Sequence, residues 1–295
     1  MNSGLFSRFT PTPDTLMELT VGRGDGKARY AGRGMDGTRF ARESVGLRFE
    51  QHALGEVLES VEMQGWYHYT DHVMDNHARC GARRMHCQNS ATSGNWTPSR
   101  SNVDRLTLGG RGIGTWQWQE VQLQGGADIQ VNWHRRNSSG HWQQDAQVQD
   151  SGLFAELSWQ FKPAQTLISG MRLEHTAAEY NGARRTERRS EVYPAAFVRL
   201  EHQAETLPLM AYAGAGLSER FLDYWELITL KAGRGAGQDA FYRLKREKTA
   251  QIDIGAHLQL APVDAWVSAY IGQVRDFILF RYGVPFADKS RHRGG

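Results

Sequence analysis

The sequence predicts an all-β protein: an antiparallel transmembrane β-barrel that is present only in part. Three observations predict this class. Apolar residues alternate with polar ones along many segments, short turns alternate with long loops, and aromatic residues recur near the segment ends. The composition agrees, because 32 glycines against 8 prolines and an aromatic content of 11% favour strands joined by many turns.

Alternation with a period of two is the main signal. Every second residue of 252–260 is apolar, and residues 17–21 and 45–49 follow the same pattern. A strand with one apolar face gives this pattern, whereas a helix does not. Several segments are long enough to cross a bilayer when tilted. About eleven such segments can be traced, and they lie near 15–22, 43–51, 57–70, 103–118, 121–134, 152–161, 165–178, 190–202, 207–219, 247–260 and 264–281.

The connections between these segments alternate in length. Tight turns are expected at 118–120, 162–164, 203–205 and 261–263, and long polar loops at 23–41, 71–101, 135–150, 179–189 and 220–245. Short turns at one end and long loops at the other are typical of outer-membrane β-barrels. A soluble β-sandwich or solenoid would alternate in the same way, so the pattern alone leaves that alternative open.

Aromatic residues near the segment ends favour the membrane interpretation. An amphipathic ring suits the headgroup region, where one part meets lipid and the other meets water. The residues that predict these girdles are Trp66, Tyr67, Tyr69, Trp116, Trp118, Trp159, Phe161, Phe277, Phe280 and Tyr282.

Composition and motifs argue against several other classes. A formal charge of +3 is too small to predict a nucleic-acid partner without a clustered basic face. The sequence has no apolar run of about 18 residues, which would indicate a transmembrane helix, and no apolar stretch typical of a signal peptide. No nucleophile elbow, Ser-His-Asp order or carboxylate pair stands out, so we expect no enzyme.

The number of segments and the end of the sequence predict an incomplete barrel. Eleven is an odd count for a bacterial single-chain barrel, and residues 288–295 do not form a last strand ending in an aromatic residue. Each unpaired backbone group at an open sheet edge in lipid would cost several kcal/mol. We therefore expect residues 1–295 to be a single partial barrel domain of about ten to twelve strands, unable to seal a pore alone.

The strongest chemical signal lies in residues 67–87. This stretch holds four histidines, two methionines and both cysteines of the chain, the soft and borderline donors that select Cu(I). His72 and Met74 are two residues apart, so an extended segment points both to one side. We predict them as metal ligands, and the other donors considered are His77, Cys80, Met85, His86 and Cys87.

Three alternatives stay open for this stretch. It could be a solvated loop that happens to be rich in these residues, or its two cysteines could form a disulfide. Zinc is a further alternative, but Cys80 and Cys87 lack the paired spacing of structural zinc sites.

Two weaker motifs have simple structural explanations. The glycine-rich run 109–114 lies inside a strand pattern and precedes no helix, so it predicts close strand packing rather than a phosphate-binding loop. The arginine-rich stretch 184–189 predicts a solvated turn, with contact to an anionic surface as the alternative.

Several motifs resemble the barrel of TonB-dependent outer-membrane receptors, specifically the copper-receptor branch. They lie at 18–37, 71–76, 219–227, 247–255 and 270–279, and the run Asp-His-Val-Met-Asp-Asn at 71–76 is the most specific to copper receptors. The resemblance implies a barrel of about 22 strands filled by a plug domain. It also implies that TonB pulls on the plug to move captured copper inwards, and that His72 and Met74 bind the copper opposite a Cys and Met pair on the plug.

The resemblance therefore implies a larger plugged barrel of which this chain is a part. The plug, the TonB-contact segment and a signal peptide are all expected to be absent from residues 1–295. The full-length parent is expected in the cell outer membrane, with lipid and the TonB complex as partners, Cu(I) as transported ligand and no organic cofactor. A siderophore or haem receptor fragment and a stand-alone copper-binding β protein remain alternatives.

Overall fold

A computed structural model describes residues 2–30, 35–79, 87–89, 92–96, 99–138, 140–181, 186–229 and 240–278. Twelve strands form one antiparallel sheet in which neighbours in sequence are neighbours in space, except that β4 pairs with β7 because β5 and β6 form a separate hairpin. The strands are β1 (Asn2–Thr12), β2 (Thr15–Gly24), β3 (Asp36–His52), β4 (Leu58–Asp75), β5 (Cys87–Asn89), β6 (Thr92–Trp96), β7 (Arg100–Gln117), β8 (Val121–Ser138), β9 (His141–Lys162), β10 (Gln165–Asn181), β11 (Thr186–Gln203), β12 (Leu209–Arg220), β13 (Glu247–Leu260) and β14 (Val263–Arg275). The short helices are α1 (Tyr224–Thr229) and α2 (Ala240–Arg243), and a single 3₁₀ turn spans His77–Arg79.

The two faces of the sheet differ in polarity, as the alternation predicts. The inward face carries paired charges such as Arg172 and Asp128, whose side chains are joined by two hydrogen bonds of 2.7 Å. The outward face carries apolar side chains that remain exposed, among them Met171 at 68%, Leu153 at 64% and Ile252 at 57%. A β-sandwich would bury such a face against a second large sheet. The described residues form one large sheet and the two-stranded β5–β6 hairpin, which does not fit a soluble sandwich.

The outward apolar band ends at paired positions on three neighbouring strands. Tyr69, Leu106 and Trp133 are directly paired across β4, β7 and β8. The next outward positions on these strands are Asp71, Asp104 and Arg135. The apolar band therefore stops before this polar row. The ends of these strands beyond the row lie outside the band, and so do the segments that connect them there.

The sheet is open. Of the described strands, β1 pairs only with β2 and β14 only with β13, and every residue of β1 and β14 is exposed. This confirms the expected partial barrel. Within the described part of the chain, no helix is long and apolar enough to cross a membrane.

Some predicted boundaries were wrong. The sequence pattern missed β1 (Asn2–Thr12), and residues 135–150 and 179–189 are mostly strand rather than long loops. The β8–β9 hairpin instead continues beyond the apolar band to a tight turn near Gly140, whose φ of 89° suits glycine. Polar residues on both faces made these strand extensions look like loops.

Trp66 faces inward, so its assignment to an outward aromatic girdle was wrong. Its Nε1 donates a hydrogen bond of 3.2 Å to the side-chain oxygen of Gln130 on the inward face. Gly109 makes this position possible, because a Cβ added there would lie 2.4 Å from the indole ring. The glycine run at 109–114 thus permits close packing, as the sequence predicts.

Candidate metal site

His72 lies near the end of β4, beyond the apolar band. It is directly paired with Phe40 on β3 and Val103 on β7. Its side chain lines an inward cavity of about 920 Å³, together with Trp66 and Thr70 of the same strand.

The His72 imidazole is half-buried and lacks a partner for one nitrogen. Its ring centroid is 4.3 Å from that of Phe40. Its Nε2 is buried and has no hydrogen-bond partner among the residues the structure describes. Burial lowers the pKa of His72 below 6.5, although the nearby Asp71 carboxylate acts in the opposite direction. The neutral ring, with an unused nitrogen, is therefore suited to bind a metal ion.

Met74 shares the inward face with His72. It is paired with Gly37 on β3 and Ser101 on β7, and strand geometry separates the Cα atoms of His72 and Met74 by about 7 Å. Gly37 also leaves room for the Phe40 ring, because a Cβ at position 37 would lie 2.0 Å from that ring. The structure thus places the imidazole and thioether on one face, as the spacing predicts.

The other predicted donors are not gathered around His72 in the described part of the chain. His77 is exposed, and its backbone NH donates to Asp75 Oδ1 at 3.2 Å. Cys80, Met85 and His86 lie outside the described residues, and of Cys87 only the backbone, at the start of β5, is described. Within the described ranges, no group of three His, Cys, Asp or Glu residues could hold a metal ion.

The base of the loop that carries these donors is closed. Asn76 is 1% exposed, and its side-chain oxygen accepts a hydrogen bond of 2.7 Å from the backbone NH of Ser99. The backbone NH of Asn76 donates in turn to the Ser99 carbonyl at 3.2 Å. The two ends of the loop are therefore held together immediately beyond Met74.

The far wall of the cavity comes from the segment after β12, which was predicted to be a long polar loop. Phe221, Leu222, Tyr224 and Leu227 are all buried there. They pack in one cluster with inward residues of β9, β10 and β11, including Tyr193. In the sequence, the apolar residues at 221–227 could have indicated that this segment is buried, but the polar residues around them favoured a loop.

A buried hydrogen-bonded group, which we call the Tyr224 cluster (His134, Asp145 and Tyr224), anchors this segment. The Tyr224 hydroxyl donates to Asp145 Oδ2 at 2.5 Å, while His134 Nδ1 lies 2.6 Å from Asp145 Oδ1. The His134 and Tyr224 rings are stacked with centroids 3.6 Å apart. Burial alone would raise the pKa of Asp145, but these hydrogen bonds and the nearby Arg136 hold it below 3.8. Burial and the bond to Asp145 raise the pKa of Tyr224, which therefore remains a donor.

Two arginines fix the same segment at its base. Arg220 donates to both Glu226 carboxylate oxygens, at 3.1 and 2.9 Å, and to Glu247 at 2.9 Å. Arg189 donates two hydrogen bonds of 2.8 Å to the backbone carbonyls of Phe241 and Leu244. The segment is thus attached to the barrel wall at both of its described ends.

Comparisons with solved structures agree with this architecture. The chain is 39% identical to a structure described as "Copper transporter OprC", with a TM-score of 0.80 over 94% of this chain and 45% of that one. The FrpB iron transporter from Neisseria meningitidis is 9% identical, with a TM-score of 0.66 over 94% of this chain and 44% of that one. The ferric citrate transporter FecA is 13% identical, with a TM-score of 0.67 over 92% of this chain and 42% of that one. The last two similarities concern the fold alone.

The chain spans less than half the length of each of these structures. No curated protein matches the sequence. The family model for the TonB dependent receptor-like β-barrel matches residues 2–294. The chain therefore belongs to the TonB-dependent receptor β-barrel family.

Proposed function

We propose that this chain is the partial barrel of an outer-membrane receptor that binds and imports copper, with His72 and Met74 as copper ligands. The observation that carries the proposal is the buried, unpartnered Nε2 of His72 on the cavity wall. A buried polar atom without a partner costs about 1–3 kcal/mol, and coordination to a metal would offset that cost. The 39% identity to a structure described as a copper transporter supports the choice of metal.

The donor set favours Cu(I) as the transported form. A thioether is a soft ligand and an imidazole is borderline, and hard cations prefer carboxylate or carbonyl oxygens. Two donors leave the coordination incomplete. We propose that a plug domain, outside residues 1–295, supplies the remaining soft donor and the contact with TonB. His77, Cys80, Met85, His86 and Cys87 are the alternative donors within this chain.

The proposed location in the outer membrane is supported by the exposed outward face. Its apolar side chains would lose contact with water on entering lipid, at about 25 cal/mol for each Å² removed from water. This separates the proposal from a stand-alone copper-binding β protein, which would bind metal as a soluble monomer without detergent.

Copper affinity in variants of the purified chain, refolded into lipid vesicles, tests the ligands. We expect His72→Ala and Met74→Ala each to weaken Cu(I) binding by at least about tenfold, measured by competition with a chromogenic Cu(I) chelator. His68→Ala is the matched control, because His68 is an exposed residue of the same strand and the same inward face. Unchanged Cu(I) affinity in both ligand variants would refute the assignment.

Uptake tests the transport step in the full-length receptor. A receptor-deficient strain that carries the gene should grow at limiting copper, and the His72→Ala variant should lose this growth. Growth restored on iron chelates instead of copper would favour a siderophore or haem receptor.

A further inference from the structure

Strand β3 carries a β-bulge opposite the proposed copper ligands. Its register against β4 shifts after Gly37, so that Gly37 pairs with Met74, Thr38 is the extra residue and Phe40 pairs with His72. In a regular strand, residues three positions apart point to opposite faces. The bulge therefore places both Gly37 and Phe40 on the inward face, opposite the two donors, and re-aiming a side chain is a common role of bulges near functional sites.

The Phe40 ring fills the space that Gly37 leaves. A Cβ added at position 37 would lie 2.0 and 2.1 Å from two carbons of the ring. The ring centroid lies 4.3 Å from that of His72, with an interplanar angle of 43°. The ring thus lies beside His72 and extends over the residue that is paired with Met74. An ion that bridges His72 and Met74 would lie about 5 Å from the ring, the usual spacing of facing side chains on neighbouring strands.

Backbone hydrogen bonds hold Phe40 in this position from the other side of β3. The Phe40 NH donates to the Gly26 carbonyl at 2.9 Å, and the Gly26 NH donates to the Phe40 carbonyl at 3.2 Å. Ala28 and Gly37 exchange two further bonds, of 2.9 and 2.8 Å. Because the NH and carbonyl of Phe40 point away from β4, Phe40 and His72 form a non-hydrogen-bonded pair, in which facing side chains approach most closely. The sheet therefore fixes the position of the ring before a metal binds.

We propose that Phe40 is a specificity-determining residue of the copper site, and that its ring makes the site selective for Cu(I) over Cu(II). The inference rests on the proposed function, since it requires His72 and Met74 to be the ligands. The ring covers one side of an ion held by these two residues. It offers no lone pair to a metal, and it keeps water away from that side.

The two oxidation states of copper respond differently to such an aromatic wall. Cu(II) prefers a tetragonal set of nitrogen and oxygen donors. One imidazole and one thioether do not supply that set, so water must complete it, and the ring hinders this. Cu(I) prefers soft donors such as a thioether. The π face of an aromatic ring also attracts a cation that has lost its water.

The ratio of Cu(I) affinity to Cu(II) affinity in the purified chain, refolded into lipid vesicles, tests the proposal. Cu(I) affinity is measured by competition with a chromogenic Cu(I) chelator, and Cu(II) affinity by competition with nitrilotriacetate. In Phe40→Ala we expect Cu(I) affinity to fall on the order of fivefold, because the contact with the π face is lost. Cu(II) affinity should stay equal or rise, so the ratio should fall by at least about fivefold. Partial misfolding removes sites for both ions alike and therefore does not alter the ratio.

Two further variants complete the test. Phe40→Tyr keeps the ring and should keep the ratio of the parent chain. Phe49→Ala is the matched control on the same strand, because Phe49 is paired with Met63, which is 57% exposed on the outward face. It should leave both affinities unchanged. An unchanged ratio in Phe40→Ala, or an equal fall of the ratio in Phe40→Tyr or in Phe49→Ala, would overturn the proposal.

The ligand variants separate a failure of this inference from a failure of the proposed function. If His72→Ala and Met74→Ala both leave Cu(I) affinity unchanged, the ligand assignment and the role of Phe40 are both wrong. If both ligand variants weaken Cu(I) binding while Phe40→Ala keeps the parent ratio, only the role of Phe40 is wrong.

Discussion

Replacing Tyr224 by phenylalanine removes one hydroxyl group from the contact that holds segment 221–229 against the barrel wall. The hydroxyl donates to Asp145 at 2.5 Å, and both residues are 8% exposed. The ring remains, so its stacking on His134 and its packing with Leu227 are retained. The substitution therefore isolates the hydrogen bond.

The size of the effect follows from the partners that Asp145 keeps. A hydrogen bond to a charged group contributes about 1.5–3 kcal/mol. Asp145 still has His134 at 2.6 Å and Arg136 at 3.6 Å, so we expect the lower part of that range, about 1.5–2 kcal/mol. Local opening of the segment should then become roughly 10–30 times more frequent, since 1.4 kcal/mol corresponds to tenfold.

Hydrogen exchange measured by mass spectrometry on peptides covering 221–229 reports this opening directly. Tyr242→Phe is the control, because Tyr242 is 53% exposed and follows Phe241 in the other half of the same connection. Exchange should accelerate in the Tyr224 variant and stay unchanged in the Tyr242 variant. Equal exchange in the Tyr224 variant and the parent chain would refute the anchoring role of the Tyr224 cluster.

Two further predictions concern packing and pH. Gly109→Ala places a Cβ 2.4 Å from the Trp66 ring and should lower the free energy of unfolding by about 1–3 kcal/mol. Gly112→Ala is the control and should have little effect, because no atom lies within 4 Å of its added Cβ. Urea unfolding in detergent measures both variants, and equal free energies of unfolding would contradict the packing argument. Because the pKa of Asp145 is lower in the folded chain than its usual 3.8, its stabilising contribution is complete above that value and is lost as pH falls through the folded pKa. Near-ultraviolet circular dichroism should therefore show the Tyr224 environment unchanged down to about pH 4 and changing only below it. The Asp145→Asn variant should lack this acid transition. A transition near neutral pH in the parent chain would contradict the lowered pKa of Asp145.

Much of the fold could be predicted because a strand between lipid and a polar interior must alternate. The segment 252–260 illustrates this, since each apolar residue in it proved to be outward and each polar one inward. Each of the eleven predicted segments corresponds to a strand, but the last, predicted at 264–281, ends as a strand at Arg275, and residues 279–281 lie outside the described residues. The pattern was less informative beyond the apolar band, where both faces meet water and polar residues at 135–150 formed strand instead of loop.

The candidate site was predictable only in part. The spacing of His72 and Met74 was sufficient to place both side chains on one face of a strand. The direction of Trp66 was not predictable, because it depends on the register with β7 and on the room that Gly109 leaves. The Tyr224 cluster joins residues 79 positions apart, and no local pattern reports such a contact.

The sequence by itself determined that this chain forms long antiparallel strands with one apolar face, and that a soft donor pair lies near the end of one of them. Strand periodicity is a local property, so it can be read from neighbouring residues. Only the tertiary structure decided which side each aromatic residue occupies and that segment 221–229 folds against the inward wall. It also decided that Asp71 and Asp104 are paired on neighbouring strands, next to Arg39 and Arg135. These features depend on register between strands and on packing between distant segments, and both are set by the balance of contacts across the whole sheet.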